Sequence, residues 1–156
     1  MLNKELLQKA NKEVQNCPET IFDTFTLYLD TNKRGHALRD DLSKLSNLYG
    51  RINELATNAI LILEQAKVFR DKIESIAWEQ APDSMKSTEK KLYIRTIHVD
   101  IDGEITTLND EISKVKTYEY IAARGKDKVK EISTLLDIGR TLLSWDKMES
   151  QQVQYN

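Results

Sequence analysis

The sequence predicts an all-α protein: an elongated helical bundle built on one very long amphipathic helix, oligomeric, with a short extended segment allowed near residues 96–102. Three observations carry this. From Leu38 to Ala77 apolar residues recur at heptad spacing, with Leu38, Leu45, Ile52, Ala59, Ala66 and Ile73 in one row. Leu48, Leu55, Ile62, Phe69 and Ile76 form a second row, and Leu42, Tyr49, Ala56, Leu63 and Ala77 a third, broken by Arg70. The three rows together are wider than a two-stranded seam and suit a bundle or a higher oligomer. Composition agrees: a chain of 156 residues with Gly 5 and Pro 2 has too few turn residues for a sandwich or barrel.

A single helical domain, 1–156, is expected at this length. Its first element is an amphipathic helix over 2–15, with Leu2, Leu6, Leu7, Ala10 and Val14 on one face, ended by Pro18. Residues Ile21 to Asp30 fit either a short helix from Thr20 or an extended edge, with helix preferred. Thr31 to Gly35 is a turn by composition.

The long helix follows over 37–80, roughly 60 Å at 1.5 Å per residue, and Pro82 stops it. A rod of that length must be buried against partners, most simply other copies of itself. Leu48, Ile52, Leu55, Ile62, Phe69 and Ile73 are therefore the expected oligomerisation residues. Residues 59–69 are apolar on nearly all sides and predict a stretch buried on two faces. A monomeric antiparallel bundle also remains open if the long helix breaks near Gly50.

Residues 87–95 read as helical or irregular. Ile97, Val99 and Ile101 then alternate with His98, Asp100 and Asp102 ahead of the turn pair Asp102-Gly103, a strand signal. Around it, Leu92, Ile94, Ile97 and Ile101 also fit helical spacing, and an isolated two-stranded hairpin is marginal in water. C-terminal helices are expected over 104–148, from Glu104, with a break or kink at Arg124-Gly125. The polar residues 149–156 read as a flexible tail.

Several functions are disfavoured. The longest apolar run, Ala59 to Leu63, is far too short for a signal peptide or a membrane span, and the expectation is a soluble cytoplasmic protein with no membrane partner. The single Cys17 has no disulfide partner and no metal-type spacing around it. Asp100, Asp102, Glu104 and Glu111 match positions of a calcium loop, but Ile105 stands where its sharp turn needs glycine. The two histidines, His36 and His98, complete no catalytic set, and no glycine-rich phosphate cradle is present. Neither an enzyme nor a cofactor is expected.

Charge is more telling in its distribution than in its net value of −2. Lys86, Lys90, Lys91 and Arg95 form one basic island, and residues 114–130 a second, more diluted one. Lys67, Arg70 and Lys72 form a third on the long helix. Most such runs are solvated faces or ion pairs worth about 0–1 kcal/mol each. Arg70 is different, because it interrupts an apolar row and must find a carboxylate, a phosphate or the bundle rim. Repeated around an oligomer, even a modest cluster becomes a continuous track for single-stranded DNA. Phe69, Tyr93 and Trp78 are candidates for base stacking, though aromatics at this spacing are more often core.

The order of elements resembles the bacteriophage recombination mediators typified by UvsY. A Leu-rich helix, Leu45-x-x-Leu48-Tyr49-x-x-Ile52-x-x-Leu55, runs into Leu63-Glu64-x-x-Lys67-x-x-Arg70, then a loop, then closing helices. The likeness covers about residues 38–148 and is one of pattern. It implies a non-enzymatic homo-oligomer in the host cytoplasm that binds single-stranded DNA and helps load a recombinase onto strands coated with single-strand-binding protein. It places the DNA contacts at Lys67, Arg70 and Lys72, and the neighbouring island adds Lys90, Lys91 and Arg95. This sequence departs from the family in the spacing of its basic cluster, in the strand-like 97–105 and in its N-terminal residues. The other reading is a helical scaffold or adaptor that never meets nucleic acid, with Arg70 paired to an acidic residue near Glu111.

Overall fold

A computed structural model describes residues 21–155. Two long helices dominate it, α1 (Gly35–Gln80, 46 residues) and α3 (Leu108–Tyr155, 48 residues), each about 70 Å long at 1.5 Å per residue. Between them lie a short helix α2 (Ser87–Tyr93) and an antiparallel pair, β1 (Val99–Ile101) and β2 (Glu104–Thr106). The fold is all-α: a helical hairpin with a small elaborated tip.

The long helix expected over 37–80 is present, and heptad periodicity explains why its buried residues are Leu38, Leu45, Ile52, Ala59 and Ile73 with Leu42, Leu55, Ala56, Ile62, Leu63 and Ala77. What covers that face is α3 of the same chain, which contributes Val115, Ile121, Ala122, Ile132 and Leu136. No break at Gly50 is needed, because the chain returns only after Gln80. Only one face of residues 59–69 is buried: Ala59, Ile62 and Leu63 face inward, whereas Val68 is 69% exposed. The expectation of burial on two faces is thus corrected.

The expected break at Arg124-Gly125 is absent, since α3 is continuous through it. A Cβ on Gly125 would meet the Phe22 ring at 2.9 Å and Ala56 Cβ at 3.2 Å, and one on Gly139 would lie 2.1 Å from Leu42 Cδ2. These glycines let the helices approach closely. Gly125 and Gly139 lie two heptads apart, as do their facing residues Leu42 and Ala56, so one antiparallel register runs along the hairpin.

The preferred helix at Ile21 to Asp30 is replaced by a turn over 21–24 and extended chain. Burial there alternates, with Phe25, Leu27 and Leu29 inward and Thr26 and Tyr28 outward, which serves a strand-like strip laid along the hairpin. Arg124 ties this strip down through Asp23.

At the tip, Asp102 (φ 52°) and Gly103 (φ 86°) adopt the left-handed conformations of a type I′ turn, so Val99 pairs with Thr106 and Ile101 with Glu104. Residues 104–106 are therefore strand, and α3 starts at Leu108 rather than Glu104. Thr107 supplies the cap, its Oγ1 accepting the Asp110 amide at 3.2 Å. The hairpin is held because Val99 is fully buried with Ile73, Ala77, Ala81, Ile94 and Leu108 in a second apolar cluster. At the other end α3 continues as helix to Tyr155, where the polar composition predicts a tail. The expected helix over 2–15 lies outside the described residues. No helix among the described residues is long and apolar enough to cross a membrane.

Candidate nucleic-acid interface

The sequence-predicted basic residues fall into two groups, one on the shaft of α1 and one at the tip. On the shaft, Lys67 Nζ lies 3.5 Å from Glu64 Oε1. Arg70 donates from Nε (3.2 Å) and Nη2 (3.1 Å) to Asp71 Oδ1. Arg70 thus satisfies its charge with its sequence neighbour at the hairpin rim. It does not reach the Glu111 region: Glu111, only 3% exposed, accepts instead from Thr106 Oγ1 at 2.8 Å and Lys114 Nζ at 3.2 Å. Lys72 is exposed.

The tip group sits on and just after α2. Lys90 Nζ stands 4.6 Å from the centroid of the Trp78 ring, a cation–π contact joining α2 to the last turn of α1. Lys86, Lys91 and Arg95 are exposed, and the Arg95 carbonyl accepts the Asn109 amide at 3.1 Å, tying the segment after α2 to the start of α3. None of the residues of α2 is buried; the following Ile94, 2% exposed, anchors it. Trp78 and Tyr93 present ring surface at 37% and 38% exposure, whereas Phe69 packs against the tip cluster as a core residue. Tip and shaft therefore differ: at the tip Lys90 lies beside an accessible ring, whereas on the shaft Lys67 and Arg70 are held in local ion pairs and, among the described residues, Lys72 is not.

In the diluted island over residues 114–130, Lys114, Arg124 and Lys128 are spent in such pairs. Lys114 meets Glu111, Lys128 meets Glu131 at 3.3 Å, and Arg124 meets Asp23. The hydrogen bond and charge of Asp23 hold the Arg124 guanidinium still more firmly protonated.

The residues expected to join subunits are taken up within the chain. Ile52, Leu55 and Ile62 are buried in the hairpin core and Leu48 packs against it. Ile73 is buried in the tip cluster, with Phe69 against it. The heptad rows say that a face is covered and not by what, so the same pattern serves a second helix of the same chain. The Trp78–Lys90 contact has no local sequence signal, because the turn at Pro82 decides it.

Among the described residues no group of His, Cys, Asp or Glu is placed to hold a metal ion. In the acidic turn Asp100 Oδ1 is engaged by the Gly103 amide at 3.1 Å. No family model, curated protein or solved structure matches this chain.

Proposed function

We propose that this protein is a non-enzymatic DNA-recombination accessory factor that binds single-stranded DNA with the tip of its helical hairpin. It acts as a homo-oligomer and helps load a recombinase onto strands coated with single-strand-binding protein. The supporting observation is the tip itself, where Lys90 stands over the exposed Trp78 ring, Tyr93 is also exposed, and Lys86, Lys91 and Arg95 lie on and beside the same short helix with Glu89 as its acid. Phosphates take the cations and unpaired bases take the rings, which favours single strands over duplex. Bound protein then weakens the coat protein's hold locally and leaves a free stretch to the recombinase. Lys67 and Arg70, further down α1, contribute less because each already has a carboxylate.

Those same ion pairs favour the second reading, a helical scaffold without nucleic acid. Fluorescence anisotropy of labelled oligo-dT, at low and at physiological salt and with a duplex of equal length, separates the two. Tight, salt-sensitive binding that prefers the single strand supports the mediator. Absence of binding at low salt, where electrostatics is most favourable, leaves the scaffold.

A further inference from the structure

The outer side of α1, turned away from α3, carries one apolar feature. Leu61, Gln65, Val68 and Lys72 follow each other at four- and three-residue steps and, with Glu64 and Phe69, line a shallow groove of about 470 Å³. Val68 at its centre is 69% exposed. A lone exposed valine means nothing. This one lies midway between two opposite charges, Glu64 four residues before it and Lys72 four residues after.

We propose that this face joins two copies of the chain, packed antiparallel about a two-fold axis at Val68. Such an axis sets Val68 against its own copy and places Glu64 of each chain opposite Lys72 of the other. It also sets Gln65 opposite Asp71 and Leu61 opposite Ser75, so no like charges meet. A parallel pairing brings Glu64 beside Glu64 and Lys72 beside Lys72, so charge selects the antiparallel arrangement. The contact is isologous and closes at two subunits. Both partners are available: among the described residues Lys72 makes no ion pair, and Glu64 meets only Lys67, through Oε1 at 3.5 Å.

The pairing does not depend on strand binding, but it shapes it. Gln80 lies about 18 Å beyond Val68 along α1, so two antiparallel copies hold their basic tips about 36 Å apart, facing opposite ways along the axis. A dimer then engages one strand at two places, and the second contact gains from the first.

Sedimentation equilibrium of the full chain over a concentration series tests the pairing without any DNA. A reversible monomer–dimer equilibrium is expected. Val68→Glu should weaken it by about tenfold or more, with the circular dichroism spectrum unchanged because the side chain is exposed. Glu64→Lys and Lys72→Glu should each weaken it, and the double exchange should restore it. A monomer at every concentration overturns the proposal. So does a larger assembly indifferent to Val68→Glu, which points to another face or another partner, or a double exchange as weak as its singles.

Discussion

The carboxylate of Asp146 accepts the backbone amide of Gly35 at 3.0 Å, so the far end of α3 caps the first turn of α1 across 111 positions of sequence. Arg34, the residue at the cap position, makes no side-chain hydrogen bond there, and the first turn of α1 carries no acid. One side chain therefore satisfies an orphan amide, places negative charge at the positive end of the helix, and closes the hairpin at the end remote from its tip.

Asp146→Ala should cost about 1 kcal/mol of stability, the usual value of a lost N-terminal cap. Asp146→Asn keeps an acceptor and should recover part of it, losing about 0.3–1 kcal/mol of charge–dipole interaction. Urea unfolding followed by circular dichroism measures both. If neither variant shifts the midpoint, the cap contributes nothing.

Two glycine substitutions should act in opposite directions. A Cβ on Gly50 meets nothing within 4 Å. Gly50→Ala should therefore stabilise by about 0.5–1 kcal/mol through helix propensity. Gly139→Ala gains the same propensity but drives a methyl into Leu42, which is 7% exposed and has little room to turn. Overpacking of about 1–3 kcal/mol should win, and the unfolding midpoint should fall.

Stability should fall at alkaline pH through one identified pair. Asp41, 2.9 Å from Lys33 Nζ, raises the lysine pKa above its usual 10.5 by hydrogen bond and charge. A group held more firmly protonated in the folded state stabilises fully below the unfolded value and loses that contribution as pH climbs through the folded one. Asp41→Asn should flatten the fall in melting temperature above about pH 10.5. The pair is at the surface, so added salt should shrink the difference between the two proteins.

Nucleic-acid affinity should track the tip and not the shaft. Replacing Lys90, Lys91 and Arg95 together by alanine should weaken oligo-dT binding and lower the slope of log affinity against log salt by about 0.7 for each phosphate left without its cation. Lys67→Ala with Arg70→Ala should do less. Trp78 emission in a Trp145→Phe background should change on strand binding and, separately, on Lys90→Ala. Equal losses from the two basic groups would move the site back to α1.

The amino-acid sequence by itself determined which face of the long helix is apolar, where that helix ends at Pro82, and that Asp102-Gly103 turns a short alternating segment. These are local properties: side-chain periodicity, a missing amide donor, and the few residues that accept positive φ. Tertiary structure decided what covers the apolar rows. A heptad stripe is equally satisfied by another subunit or by a second helix of the same chain, and only the return of α3 over Ile52, Leu55 and Ile62 selects the latter. The same return made Gly125 a packing contact instead of a break, since a glycine's missing Cβ looks alike in both cases until Phe22 and Ala56 arrive opposite it. It also stretched Ile21 to Asp30 along the hairpin, brought Lys90 onto Trp78 and delivered Asp146 to Gly35. Each of these joins residues whose proximity depends on chain closure, and no local preference encodes that.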